Sequence, residues 1–103
     1  MIATIFRSRL NPDPSTQEEY ARWAARMNEL AQGMPGFVSV KTFGADDGER
    51  VTIAEFESAE TLRAWSMHPE HIEAKKKGRT GFYLDYRVQV CEVLRDSAFL
   101  LKP

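Results

Sequence analysis

The chain is 103 residues long, carries a net charge of −1 and contains a single cysteine, Cys91. This length fits one domain with its own core, and the near-zero charge argues against a nucleic-acid partner. One cysteine excludes an internal disulfide and favours a reducing compartment. No apolar run approaches the roughly 20 residues of a membrane span, and no signal-peptide pattern is present. We therefore expect a cytoplasmic protein without membrane contact.

The first segment, Ile2–Leu10, is rich in β-branched and aromatic residues and is predicted as a strand. Its period of two puts Phe6 on one face and Ile5 on the other, so apolar side chains lie on both faces. Pro12 and Pro14 end the strand, because proline has no backbone N–H donor and its ring restricts φ.

A helix is predicted next, from Ser15 to Gly33. Ser15 and Glu18 have the spacing of a capping box, in which each side chain bonds a free backbone N–H of the first turn. The apolar residues follow one helical stripe: Tyr20, Trp23, Ala24, Met27, Leu30 and Ala31. Trp23 and Met27 are candidates to close a pocket, although this spacing is more typical of core positions.

Two strands, Phe37–Phe43 and Val51–Glu57, follow the first helix. Apolar and polar residues alternate along the first of them, which is typical of a half-buried strand. The connecting segment 44–50 is polar and contains Gly44 and Gly48, so it predicts a hairpin loop. Together these segments indicate an antiparallel pair.

A second helix is predicted from its N-cap Ser58 through Trp65. Pro69 ends this helix or starts another, because proline is tolerated at the first helical position. The continuation, Pro69–Lys77, is predicted to stop at Gly78. Its last turn carries three lysines, where positive charge stabilises the helix dipole.

The final strand is predicted over Phe82–Leu94, which spans roughly 43 Å at about 3.3 Å per residue. Because the preceding strands are shorter, we expect part of it to pair with another subunit. Residues 1–95 form the predicted domain. The tail, residues 96–103, carries Phe99, Leu100 and Leu101, and we expect it to dock on the dimer.

The order strand, helix, strand, strand, helix, strand predicts an α+β fold of the ferredoxin-like type, with helices on one face of an antiparallel sheet. The other face would be uncovered in a monomer. Its expected apolar residues are Ile5, Val38, Val40 and Val88. We therefore expect a homodimer joined through the sheets.

The segment from Trp65 to Arg95 resembles the antibiotic biosynthesis monooxygenase family, and within it a small bacterial branch with the pattern W-x5-H-x6-G-R followed by D-Y-R-x2-V. The resemblance rests on Trp65, His71, Ala74, Gly78, Arg79, Asp85, Tyr86, Arg87, Val90, Val93, Leu94 and Arg95. In element order it covers nearly the whole chain. It implies a dimeric α+β barrel with a pocket in each subunit between the helices and the sheet.

The resemblance also implies oxygenation of a small phenol, hydroquinone or polyketide-type substrate without a metal or organic cofactor. The sequence contains no dinucleotide fingerprint, P-loop or nucleophile elbow. Such oxygenation requires a base and donors that hold the substrate anion. His71 is the predicted base, because unperturbed imidazole titrates near neutrality. We expect its ring to face the surface, and we expect Trp65 and Arg79 to hold the anion.

Six residues are predicted to bind the substrate: Phe6, Trp23, Met27, His68, Tyr83 and Tyr86. We expect Phe6 and Tyr83 to line one cavity with Trp65, His71 and Arg79. His68 has a second interpretation as a helix N-terminal residue, and Arg79 has one as an ion-pair partner of Glu73 or Asp85. No third ligand completes a metal site with the two histidines, so no metal is predicted.

Two alternative functions are open at this point. A second branch of the family degrades haem, using an Asn on the first strand, a Trp on the second helix and a haem-ligating His in the following helix. Trp65 matches, but Phe6 occupies the strand position and Ala74 or Lys75 the histidine position. The other alternative is a non-catalytic dimeric module that binds a small ligand, for example in a stress response.

Overall fold

The computed structural model describes residues 1–103 and contains one four-stranded antiparallel sheet and three α-helices. The strands are β1 (Ile2–Leu10), β2 (Phe37–Gly44), β3 (Arg50–Phe56) and β4 (Tyr83–Glu92), and the helices are α1 (Pro14–Gln32), α2 (Ala59–Ser66) and α3 (Pro69–Lys77). The strand order in the sheet is β2-β3-β1-β4. The predicted α+β fold of the ferredoxin-like type is confirmed.

The first helix begins one residue earlier than predicted, at Pro14, with Asp13 as its N-cap. The Asp13 carboxylate accepts hydrogen bonds from the Ser15 hydroxyl (2.6 Å) and the Thr16 backbone N–H (2.9 Å). These bonds lower the pKa of Asp13, because they stabilise its charged form. The predicted capping box of Ser15 with Glu18 is wrong, since Ser15 lies inside the helix.

The predicted N-cap Ser58 is confirmed, and Thr61 completes a reciprocal capping box with it. The second helix ends at Ser66, and Pro69 starts a separate helix. The predicted helix Pro69–Lys77 is confirmed, with Gly78 as its C-cap, and the backbone then continues as a π-helical turn over Gly78–Phe82. Such turns often occur at functional sites.

The last strand has ten residues, Tyr83–Glu92, instead of the thirteen predicted. It pairs with β1 along its full length, from Glu92 opposite Ile2 to Tyr83 opposite Leu10. The expected unpaired surplus is therefore absent. The outer edge of β4 still has no partner within the chain, since β4 is the last strand of the sheet.

One face of the sheet lies under the helices. Phe56 on β3 is opposite Ile2 on β1 and packs in the same core cluster as Trp65 of α2. Side chains alternate between the two faces of a strand, so Phe6 belongs to the helix-covered face. Val88 is opposite Phe6 on β4 and belongs there too.

The other face has no helix on it, but its residues differ from those predicted. Ile5 lies there, whereas Val40 and Val88 lie on the helix-covered face. Val38 falls where the pairing of β2 with β3 shifts register. The prediction for Val40 fails because this irregularity interrupts the alternation on which it was based.

Few residues are enclosed within the single chain. Six of 103 residues are buried, and three of them, Ala31, Phe56 and Trp65, form the core cluster. Much apolar surface is therefore left on the outside of the monomer.

The segment after β4 has no regular secondary structure. The Val93 N–H donates to the Met1 carbonyl oxygen (3.0 Å), and beyond that point Phe99, Leu100 and Leu101 are exposed. Docking of this tail stays a prediction. None of the helices combines the length and the hydropathy that crossing a membrane requires.

Candidate functional site

The second and third helices meet at a stacked pair of rings. His71 in the first turn of α3 lies on Trp65 near the end of α2, with ring centroids 4.3 Å apart and planes 13° from parallel. The break between Ser66 and Pro69 lets the chain turn back there. His71 Nδ1 lies 3.1 Å from the Trp65 carbonyl oxygen.

This hydrogen bond determines which nitrogen of His71 is free. Because a carbonyl oxygen only accepts, Nδ1 carries the proton of the neutral ring and Nε2 keeps its lone pair. Burial lowers the pKa of His71 to about 4, and the bond to the Trp65 carbonyl offsets only part of this effect. The expectation that the ring of His71 faces the surface is therefore wrong. The ring is partly buried and uncharged at neutral pH.

The indole N–H of Trp65 is an available donor. Trp65 is only 8% exposed, and its N–H makes no hydrogen bond within the chain. No fully buried side-chain nitrogen or oxygen lacks a partner, so this N–H reaches accessible space. The geometry is compatible with the predicted anion-holding role.

We expect the His71 ring to stay neutral until the pH approaches about 4. In the unfolded chain it titrates near 6.5, so the unfolded state binds the proton first as the pH falls. His71 therefore imposes no stability penalty above about pH 6.5, and an increasing one between about 6.5 and 4. Ring NMR shifts measure this pKa, and His71→Asn should reduce the loss of stability over the same window. A His71 pKa above 6 in the folded protein would contradict the expectation.

Five aromatic residues form a second group, called here the tyrosine cluster: Phe6, Tyr20, Phe82, Tyr83 and Tyr86. Tyr83 is central, with ring centroids 5.3 Å from Phe6, 5.7 Å from Tyr20 and 5.8 Å from Tyr86. Burial, assisted by Tyr20, raises the pKa of Tyr83. The Tyr83 phenol therefore stays protonated at neutral pH and acts only as a neutral donor or acceptor.

The π-helical turn packs directly on this cluster. A Cβ on Gly78 would lie 2.9 Å from the Tyr83 ring, so glycine is needed for the close approach. At the other end, the Asn11 backbone N–H donates to the Phe82 carbonyl oxygen (2.8 Å). The Asn11 side-chain amide donates to the Gly81 carbonyl oxygen (3.0 Å). The turn is thus held at both ends.

Arg79 on this turn borders an open depression of about 440 Å³. The other residues that line it are Gly78, Tyr83, Leu84, Asp85 and Tyr86. The alternative pairing of Arg79 with Glu73 or Asp85 is absent, because none of the ion pairs in the chain includes Arg79. Its guanidinium is exposed and free.

The predicted site residues form two groups instead of lining one cavity. Trp65 packs near the end of β1 that begins at Ile2, whereas Phe6 lies four residues further along the strand, about 13 Å from Ile2. On β4 this face stays open, with Val88 50% and Val90 63% exposed. We call this open strip of Phe6, Val88 and Val90 the apolar trough.

Two predicted substrate-binding residues on α1 lie elsewhere. Trp23 sits in a shallow groove with Arg26 and Glu70, and the ammonium of Lys77 lies 5.3 Å from its ring centroid. Met27 packs against the core cluster. Trp23 and Met27 lie on the stripe of α1 that faces neighbouring elements. Neither of them lines the depression beside Arg79.

His68 is a helix cap. It precedes Pro69, and its Nδ1 accepts a hydrogen bond from the Glu70 backbone N–H at 3.1 Å. This confirms the interpretation of His68 as a helix N-terminal residue. Its ring is 5.8 Å from that of Trp65. No three His, Cys, Asp or Glu side chains are grouped so as to hold a metal ion.

Tyr20 of the tyrosine cluster and the neighbouring Arg50 were not predicted as site residues. Tyr20 was assigned to the core stripe of α1 and Arg50 to the hairpin loop, but Arg50 belongs to β3. The Arg50 guanidinium lies 5.5 Å from the centroid of the Tyr20 ring. A strand assignment extended back by one residue would have placed Arg50 on the helix-covered face.

The chain is similar in sequence to known families and proteins. Residues 1–77 match the family described as "Antibiotic biosynthesis monooxygenase". The uncharacterized protein YqjZ of Bacillus subtilis (strain 168) is 38% identical over 80 residues, which cover 78% of this chain and 70% of that protein.

Two solved structures illustrate the similarity in fold. Rv0793 from Mycobacterium tuberculosis has a TM-score of 0.78 at 18% identity, covering 94% of this chain and 98% of that one. SnoaB from Streptomyces nogalater, a cofactor-independent oxygenase, has a TM-score of 0.74 at 15% identity, covering 92% and 94%. At these identities the structures support the fold alone.

Proposed function

This chain belongs to the antibiotic biosynthesis monooxygenase family, and we propose that it oxygenates a small phenol or hydroquinone without a metal or organic cofactor. His71 is the base in this proposal, Trp65 holds the substrate anion, and the apolar trough accommodates the aromatic rings. The function of SnoaB as a cofactor-independent oxygenase is consistent with this reaction.

The observation that carries the proposal is the paired geometry of His71 and Trp65. The ring of His71 is neutral, its Nδ1 is engaged by a carbonyl, and Nε2 is left with a lone pair. The stacked Trp65 offers an N–H without an internal acceptor. A base and a donor on adjacent, parallel rings are what deprotonation of a phenol and retention of its anion require.

The reaction balances without an external reductant. His71 Nε2 removes the phenol proton, and the phenolate transfers an electron to O2. Recombination at an unsubstituted ring carbon ortho or para to the oxygen forms a C–O bond, and protonated His71 returns its proton to the resulting peroxide. Loss of water then gives the quinone, so phenol plus O2 yields quinone plus H2O. One oxygen atom enters the product and the other enters water. The substrate supplies all four electrons.

The low pKa of His71 limits which phenols react. A base whose conjugate acid has a pKa of about 4 takes a proton from an ordinary phenol only at a large free-energy cost. A phenolate formed beside the ring raises the His71 pKa again, because opposite charges stabilise each other. Phenols acidified by neighbouring carbonyl groups are therefore the preferred substrates.

Oxygen uptake with a panel of phenols and hydroquinones of graded acidity tests the proposal. With ¹⁸O2, one labelled atom should appear in the quinone, and the rate should rise as the phenol pKa falls. Adding haemin tests the haem-degrading alternative, for which we expect weak binding and no turnover with a reductant. Saturable ligand binding without any oxygen uptake would contradict oxygenation and favour the non-catalytic module.

We also propose that the chain functions as a homodimer joined through the helix-free face. The six buried residues leave a small core for 103 residues, and Ile5 lies opposite Ile53 on a face that no helix covers. Arg87 is opposite Arg7 on that face; Arg7 is paired with Glu49 at 2.9 Å, whereas Arg87 forms no ion pair within the chain. Light scattering at micromolar concentration should give about 24 kDa, twice the 11.8 kDa of the chain, as expected for an interface above about 1,200 Å². A mass of one chain would contradict the dimer.

A further inference from the structure

The depression beside Arg79 has the chemistry of a binding site in its own right. Its volume of about 440 Å³ lies within the usual range of ligand sites. The Arg79 guanidinium, on one wall, makes no hydrogen bond or ion pair in the chain. A free, forked donor of this kind binds carboxylates through two parallel hydrogen bonds.

Aromatic rings line another wall of the depression. Tyr86 stacks on Phe6 with ring centroids 5.5 Å apart, and the residue is still 39% exposed. Tyr83 lies edge-on beside it at 5.8 Å and is held by the close approach of Gly78. A planar ligand can therefore extend the stack from the open part of Tyr86 at little conformational cost, because the supporting rings are already packed.

The charges around the depression favour a single negative charge on the ligand. Arg79 and Lys75 are near enough that Arg79 helps lower the pKa of Lys75, although burial is the main cause. Asp85 also lines the depression. Its carboxylate repels a second negative charge and accepts a hydrogen bond from a hydroxyl group.

We infer that this depression is a subsite for an aromatic carboxylate, whose carboxylate pairs with Arg79 while its rings stack on Tyr86. The inference goes beyond the proposed reaction, because binding here needs neither oxygen nor His71. It also gives Arg79 a different role from the predicted one: Arg79 binds a carboxylate away from the reacting ring, since neither Trp65 nor His71 lines this depression.

Titration calorimetry with 1-naphthoate and its neutral analogue 1-naphthamide tests the inference. We expect naphthoate to bind about tenfold more tightly than naphthamide, because its carboxylate forms a charge-assisted hydrogen-bonded pair with Arg79. This preference for naphthoate should decrease as salt is added. Arg79→Gln should abolish the preference, and Asp85→Asn should increase it. Both side chains are exposed and unbonded, so both variants should fold.

Matched controls separate this site from general charge effects. Lys76→Gln removes an exposed positive charge from the end of α3 and should leave the preference unchanged. Gly78→Ala should weaken both ligands by displacing Tyr83, whereas Gly81→Ala, in the same turn, meets no atom within 4 Å and should not. Equal binding of naphthoate and naphthamide, or an unchanged preference in Arg79→Gln, would overturn the inference. Failure of the oxygen-uptake experiment would leave it intact.

Discussion

Replacing His71 by glutamine should lower the oxygenation rate of a phenolic substrate about 10²-fold or more, the usual effect of removing a general base. The glutamine amide can still donate to the Trp65 carbonyl, which His71 Nδ1 contacts at 3.1 Å. It offers no basic lone pair, however, so the structural contact is kept while the proton acceptor is removed. The loss should appear in kcat more than in KM, because phenol binding in the apolar trough does not require the imidazole.

His71→Ala should show the same loss together with lower stability. The stacked rings lie 4.3 Å apart, and such a pair contributes about 1 kcal/mol beyond its buried area. The protein should still fold, but it should lose this packing energy, because the His71 ring is packed on Trp65. Glu73→Gln, on the same helix, is the matched control and should leave kcat unchanged. Full specific activity in folded His71→Gln would show that the base lies elsewhere.

Gly36→Ala should destabilise the fold by roughly 2–4 kcal/mol. Gly36 has φ of 77°, and an added Cβ would lie 2.5 Å from the Thr61 side chain. The left-handed backbone costs an alanine about 1–2 kcal/mol, and the clash adds a similar amount. Thr61 cannot move freely, because its hydroxyl is part of the capping box with Ser58. Denaturant unfolding monitored by the tryptophans measures the free-energy change.

Two other glycines separate the causes of this effect. Gly48 also has positive φ (90°), but its Cβ would meet nothing closer than Arg9 Nη1 at 3.9 Å. Gly48→Ala should therefore cost only the backbone strain, about 1–2 kcal/mol. At Gly44, where no atom lies within 4 Å of the added Cβ and φ is not positive, the change should be near neutral. Equal losses for Gly36→Ala and Gly48→Ala would show that the contact with Thr61 relaxes.

The contact between Gly36 and Thr61 affects the geometry of the candidate site as well as the stability of the fold. Thr61 caps the start of α2, and Trp65 lies one turn further along the same helix. A shift of this helix would displace the Trp65 ring, on which the His71 ring stacks. We therefore expect any folded Gly36→Ala protein to lose oxygenation activity even though Gly36 lies outside the site.

The elements of the fold could be predicted from local pattern. The strand and helix order followed from alternation, helical stripes and turn residues, and Ser58 was identified as a cap because its bond with Thr61 lies within four residues. The N-cap of α1 was predicted wrongly, because a second residue two positions away can accept hydrogen bonds from the same backbone N–H groups. Asp13 caps α1 in place of Ser15, because a carboxylate just before Pro14 reaches the same free N–H groups.

The site was predicted less completely, because it depends on contacts between distant segments. The resemblance identified Trp65, His71 and Arg79, but nothing local indicates that the first two stack while the third borders a separate depression. The resemblance also does not show that Arg50 lies over the ring of Tyr20, thirty residues earlier in the chain.

The sequence by itself determined the ferredoxin-like α+β fold and the spacing of Trp65, His71 and Arg79, because both depend on short-range periodicity and on residue identity. Only the tertiary structure decided that His71 is partly buried against Trp65 and has its pKa lowered to about 4. It also decided that the π-helical turn at Gly78 carries Arg79 to the tyrosine cluster. Burial and the packing of one ring on another arise from segments meeting in space, and the free energy of a charged group depends on everything that surrounds it.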